Sequence, residues 1–267
     1  MTTIPTRGQA PLRVLHARRR PALVLVAHGS RDPQTLAEVH RLTALLAAAR
    51  PELDVRVAHL GLNAPLLPDV LDGLSGPAVL VPLLLSRGYH VKVDLPALLA
   101  AAPQVNGLIA PPLGPDPLLT ELLHTRLTEA GWGPDGDAVV LAAAGSRDPA
   151  AAVDTETQAA LLAARLGVPV RTGAVTGGRS VAEAVARLTG EGHRRVAVAS
   201  YFTAPGDFAR LAASAGDWVT AAPLGAHPTM VELILRRYSS ATYGPGARGS
   251  AHERLRRGAM PTLVTSG

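Results

Sequence analysis

Short apolar runs alternate with longer amphipathic ones along this chain. Ala22–His28 is apolar and rich in β-branched residues, and it ends abruptly in the polar turn Gly29-Ser-Arg-Asp-Pro33. It reads as a strand. Gln34–Ala49 places Leu36, Val39, Leu42, Leu45 and Leu46 on one side of a helix by their i, i+3, i+4 spacing. Val55–Leu60 is a second strand, and Pro65–Leu74 a short helix with Pro65 near its first turn. Ala78–Leu85 is a continuous apolar strand, Ser86-Arg-Gly-Tyr-His-Val a turn, and Val93–Ala102 a helix. Val105–Ala110 is a fourth strand, and Pro115–Ala130 a helix that Gly131 closes. Strands alternating with helices predict an α/β fold, a parallel sheet with helices on both sides.

Gly131-Trp-Gly-Pro-Asp-Gly136 has the composition of a linker, and the pattern then starts again. Val140–Pro149 repeats Val24–Pro33, keeping Gly-Ser-Arg-Asp-Pro. Val196–Phe208 repeats Ala78–His90 with Gly206 on Gly88, and Ala222–Pro228 repeats Pro111–Pro117. Three blocks recur in one order at nearly one spacing. The expected architecture is therefore two tandem related lobes, 22–132 and 137–243, each with a four-stranded parallel sheet flanked by helices. The gap between such lobes is a natural ligand site.

Composition narrows the chemistry. Apolar residues make up 47% of the 267, enough for a sizeable core, and aromatics only 3%. With no cysteine, disulfides, thiolate sites and iron–sulfur clusters are excluded, and a metal must be held by nitrogen or oxygen. The net charge of +5 is misleading. Arg7, Arg13, Arg18, Arg19 and Arg20 crowd the first segment with no acid, and Arg248, Arg254, Arg256 and Arg257 outnumber Glu253 in the last. The chain between them is net acidic. Residues 1–21 and 244–267 are thus expected to be disordered basic tails, and a nucleic-acid partner is not expected. No apolar run reaches the length of a membrane span, and the N-terminus lacks a signal peptide's apolar stretch, so a cytoplasmic protein without membrane contact is expected.

Two histidines stand out. His28 and His90 each follow a strand and precede a helix, so both fall on the rim of the first sheet where ligands collect. An imidazole there can act as a base, a metal ligand or both. The repeat serves as a control: His28 corresponds to Ala144 and His90 to Phe208, while the Gly-Ser-Arg-Asp-Pro frame survives in both halves. The fold does not need the histidines, as expected of one active site in a duplicated protein. His59, ending the second strand on the same rim, is a candidate third ligand or a half-buried strand end. Ser30, Arg31, Arg87 and Lys92 flank the histidines and are candidate substrate contacts, the arginines by bidentate pairing with carboxylates. Arg31 recurs as Arg147, and Asp32 is placed to cap the following helix. His227 reads as a helix cap. Gly-x-Ser-x-Gly and Gly-x-Gly-x-x-Gly frames are absent, which leaves a nucleophile elbow and nicotinamide chemistry without support.

The strand ending in His28-Gly-Ser-Arg31, the block Val81–Pro96 and Pro112-Leu-Gly114 before the closing helix resemble the sirohydrochlorin chelatase family, the CbiX/SirB group. The resemblance spans roughly residues 22–243. It implies the chelatase fold and insertion of Co²⁺ or Fe²⁺ into sirohydrochlorin, in cobalamin or siroheme biosynthesis. It places the family's two histidines on His28 and His90. The metal is a substrate, and no tightly bound cofactor is implied. The chain departs from the family pattern at one point. Members often carry a Glu in a Phe-Leu-Glu segment where this chain has His59-Leu60-Gly61. That difference keeps a non-catalytic tetrapyrrole- or metal-binding protein as the alternative. Tandem halves favour a monomer.

Overall fold

The computed structural model describes residues 20–243. The basic tails lie outside them except for Arg20, which pairs with Glu52, and Pro21, whose carbonyl accepts from the Tyr238 hydroxyl. The first lobe contains β1 (Ala22–Ala27), α1 (Pro33–Ala49), β2 (Val55–His59), α2 (Leu67–Asp72), β3 (Gly76–Pro82), a π-helical turn (His90–Asp94) running into α3 (Leu95–Ala100), β4 (Val105–Ile109) and α4 (Pro117–Glu129). The second contains β5 (Ala138–Ala143), α5 (Pro149–Leu166), β6 (Val170–Ala174), α6 (Val181–Gly190), β7 (Val196–Ser200), α7 (Asp207–Ala213) and α8 (Pro228–Tyr243).

The first sheet is parallel in the order β2-β1-β3-β4, and the second in the order β6-β5-β7. The expected fourth strand of the second lobe is reduced to one parallel bridge, Thr220 to Val198. Val198 donates to Val219 and accepts from Ala221, and the segment then reaches Pro223, which has no amide hydrogen to extend a ladder. The strands are apolar throughout because both faces are covered. Leu23, Leu25 and Ala27 of β1 point into a core shared by both lobes, whereas Val24 and Val26 pack outward under α2 and α3.

The closing helices are exchanged. α4 ends the first half but packs on α5 and β7, and α8 ends the second half but packs on α1, β3 and β4. The repeated Pro-Leu-Gly marks each crossing. A Cβ on Gly114 would lie 2.0 Å from the Tyr201 hydroxyl and 2.5 Å from the Leu85 carbonyl, so only glycine passes there. At the second crossing Gly225 has φ +68°, and its Cβ would meet Glu38 Oε1 at 2.6 Å. Asp116 then caps α4 by accepting from the Leu118 amide, and Arg236 and Arg237 of α8 bind its other oxygen.

A second set of contacts closes the lobes on each other, and it too appears twice. Asp32 caps α1 through the Gln34 amide and accepts from Arg210 of the second lobe at 2.6 Å. Asp148 caps α5 through the Ala150 amide and accepts from Lys92 of the first lobe at 2.7 Å. Lys92 and Arg210 occupy equivalent positions in the two halves, so the duplication carried the latch with it. The turns before these caps are equally strict. A Cβ on Gly29 (φ +98°) would lie 1.9 Å from the Gly61 carbonyl oxygen, and one on Gly145 (φ +83°) 1.8 Å from that of Thr176.

Two outcomes are expected. Gly145→Ala should lower stability by roughly 1–3 kcal/mol or more, measured by denaturant unfolding, because it combines a left-handed residue with a backbone clash. The second concerns acid. The Gln34 amide and Arg210 hold the Asp32 carboxyl below its ordinary value of 3.8, and Lys92 and the Ala150 amide do the same for Asp148. Carboxyls with depressed folded values stabilise fully above about pH 4, and that contribution is lost as pH falls through the depressed range. Lys92→Met with Arg210→Met should therefore unfold at higher pH than the parent in an acid titration followed by circular dichroism. Equal midpoints would show that the latches carry no weight.

Candidate metal and macrocycle cleft

His28 lies one residue past β1, and His90 opens the π-helical turn after β3. β1 and β3 are hydrogen-bonded neighbours, so their ends bring the two rings side by side, with centroids 4.8 Å apart and planes tilted by 57°. At that separation one nitrogen of each ring can reach a single cation at about 2.1 Å. His90 Nδ1 donates to Asp94 Oδ2 at 2.6 Å, one turn along the same helical segment. The carboxylate only accepts, so Nδ1 carries the hydrogen and Nε2 keeps the lone pair. Such a partner fixes the orientation and tautomer of the ring. Desolvation in the cleft wall, and then the neighbouring His90, hold His28 below the ordinary imidazole range, so His28 is neutral and its lone pair free at neutral pH.

Both rings line an interlobe cleft of about 1150 Å³. Its first-lobe wall includes Leu83, Leu85, Gly88 and Tyr89; its second-lobe wall includes Ala144, Arg147, Arg179, Tyr201 and Phe208. Burial raises the Tyr201 hydroxyl above the usual phenol range, and the hydroxyl donates to the Leu85 carbonyl, so it holds the crossing rather than titrating.

The other candidates named from sequence lie elsewhere. The His59 side chain is 1% exposed and absent from the cleft lining. Its register partner is Ala27, whose side chain faces the shared core, and its ring feels His40 of α1. Its Nδ1 contacts the Pro65 carbonyl at 3.3 Å, its Nε2 has no partner among the described residues, and burial lowers its pKa. The pleat thus turns it away from His28. Ser30 is a turn element: its hydroxyl accepts from the Asp32 amide and from Thr35, and its amide donates to Asn63. Arg31 is exposed and outside the lining. Arg87 and Lys92, expected to grip substrate, instead bind the second lobe. Arg87 donates through Nε and Nη2 to Asp154, whose side chain is 2% exposed, and Lys92 forms the latch to Asp148. His227 caps α8, accepting from the Thr229 amide at 3.2 Å.

Asp94, Arg147 and Arg179 were not singled out from sequence. The i, i+4 spacing of His90 and Asp94 was a readable signal for the first. Arg147 and Arg179 sit in the half that lacks equivalents of His28 and His90, and only the closure of the lobes brings them to the cleft. Among the described residues no three His, Cys, Asp or Glu side chains are grouped to hold a metal, and no helix is long and apolar enough to cross a membrane.

Fold and site together define a duplicated, two-lobed α/β protein that presents an imidazole pair to an interlobe cleft. The CbiX family model matches the chain twice, over residues 22–130 and 138–241. The chain belongs to the CbiX family. It is 27% identical over 123 residues to the sirohydrochlorin cobaltochelatase of Methanosarcina barkeri, a match covering 40% of this chain and 95% of that protein, about one lobe's length. Among solved structures it resembles SirB from Bacillus subtilis with Fe³⁺, with a TM-score of 0.69 and 21% identity over 86% of this chain and 98% of that one. It also resembles CbiX, described as the terminal enzyme for biosynthesis of siroheme in denitrifying bacteria, with a TM-score of 0.64 and 24% identity over 82% and 99%. At those identities the two structures establish the shared fold.

Proposed function

We propose that this protein inserts a divalent metal, Co²⁺ or Fe²⁺, into sirohydrochlorin. The observation that carries the reading is the His28–His90 pair, 4.8 Å apart on the wall of a cleft large enough for a tetrapyrrole. Insertion requires a hydrated cation to lose water while two pyrrole N–H protons leave. His28, neutral by desolvation, and His90, whose Nδ1 is engaged by Asp94 so that Nε2 is the available donor atom, offer two borderline nitrogen donors suited to these metals. Two donors in an open cleft hold a cation loosely, which suits a metal that must pass on to a macrocycle with four nitrogens. As the metal moves to the pyrroles, each freed imidazole lone pair can accept a proton. Asp94 then stabilises the imidazolium at His90. Family membership and the similarity to the Methanosarcina sirohydrochlorin cobaltochelatase support the same reaction.

The alternative, a tetrapyrrole or metal carrier, is favoured by one feature. Gly61 occupies the place of the carboxylate often found in the family, and His59 does not replace it. One assay separates the two: purified protein, sirohydrochlorin and Co²⁺ or Fe²⁺, followed by absorption. Insertion faster than without protein is expected; binding without acceleration would establish the carrier.

His28→Ala and His90→Ala are each expected to remove most of the insertion rate and to leave the far-ultraviolet circular dichroism unchanged. Wild-type rates in both would sink the assignment. Asp94→Asn should lower the rate by roughly 10–100-fold, acting through His90 alone. In a His90→Ala background it should therefore change the residual rate little.

A further inference from the structure

The cleft has two chemically different walls. On the second lobe, positions equivalent to His28 and His90 are Ala144 and Phe208, and both line the cleft. Phe208 is 46% exposed, a large ring left uncovered beside the space. Arg147 and Arg179 line the same wall, both exposed, and neither makes a side-chain hydrogen bond or ion pair among the described residues. Arg179 follows Gly177 (φ +65°) and Gly178 (φ +80°), a left-handed pair that turns the loop over β6. The cations beside the histidines are not available in this way: Arg87 and Lys92 are held by Asp154 and Asp148. The acids on the second wall are also engaged, Asp148 by Lys92 and Glu156 by the Thr172 hydroxyl.

We propose that the second lobe is the macrocycle-holding half of the site: Arg147 and Arg179 grip peripheral carboxylates of an anionic tetrapyrrole, and Phe208 with Ala144 gives its ring an apolar wall. This rests on the chelatase reading for the identity of the macrocycle. Arginine suits the task because its planar fork pairs with a carboxylate through two hydrogen bonds. An aromatic side chain suits the other, because a flat conjugated ring packs against it. The two lobes then divide the labour, the first presenting the metal and the second presenting the ligand that receives it.

The test is an absorption titration of metal-free sirohydrochlorin alongside initial rates of Co²⁺ insertion. Arg147→Gln with Arg179→Gln should raise both Kd and KM for sirohydrochlorin at least tenfold, while KM for Co²⁺ stays within twofold. Added salt should weaken sirohydrochlorin binding to the parent more than to this variant. Arg147→Lys with Arg179→Lys should recover part of the affinity, and Phe208→Ala should raise Kd severalfold. An unchanged Kd in the glutamine pair, or a loss that falls on Co²⁺ instead, overturns the proposal. Tight binding through these arginines with no acceleration of insertion would remove the chelatase reading and leave this one standing. A parent protein that does not bind sirohydrochlorin at all would end both.

Discussion

Each half of this chain completes its sheet and then sends its last helix to the other half. α4 covers β7 and α8 covers β3 and β4, so neither sheet is buried unless both crossings are made. The inner faces consequently share one core, running from Leu23 and Val81 through Leu119 to Leu141 and Ile234. Hydrophobic burial of that kind is non-directional and sets no particular angle between lobes. Direction comes from the polar contacts at the crossings and latches, where Gly114, Gly225, Asp32, Asp116 and Asp148 each meet a group from the opposite half. The width of the cleft follows from those contacts.

The latches also explain the electrostatics of the site. Each N-cap aspartate satisfies a helix amide and also receives a cation from across the gap. Ion pairs whose cation is exposed to solvent, as in both latches, contribute modestly on their own. Their larger effect is to remove Lys92 from the ligand space beside the imidazoles, as Asp154 removes Arg87. Cations held in pairs repel an approaching divalent metal less than free ones. The imidazole pair therefore sits where positive charge is locally compensated, while Arg147 and Arg179, without a side-chain partner among the described residues, lie on the opposite wall.

Much of this was readable in the sequence, and the reasons are local. Strand runs covered on both faces, caps such as Asp32, and the glycines of the strand-to-helix turns are dictated by neighbours a few residues away. The repeat exposed His28 and His90 by comparison with Ala144 and Phe208. What escaped depends on long-range closure. Arg87 and Lys92 look like substrate contacts until Asp154 and Asp148, far along the chain, come into place. Pro-Leu-Gly was visible as a repeated motif, but its role as a crossing depends on Tyr201 and Glu38 from the opposite lobes. His59 has the right residue type at the right rim, and only the register with Ala27 shows that its ring faces the core. The fourth strand of the second lobe failed because pairing ends within a residue or two of Thr220.

The π-helical turn separates fold from function at the level of single residues. His90, Lys92 and Asp94 lie within five residues of one another, and their equivalents in the second half are Phe208, Arg210 and Ala212. The cation between them survives, because its latch to an N-cap aspartate is needed in both halves. The histidine and the carboxylate that orients it are both replaced, as is His28 by Ala144. Backbone demands cannot account for this, since Gly29 and Gly145 have the same handed conformation and meet the same kind of carbonyl. Three side chains that touch one another chemically in one lobe are absent together from the other, while a structural neighbour interleaved among them is kept. That is the pattern of a unit laid over a fold that does not require it, and the chelatase reading proposed above needs only one such unit in the cleft.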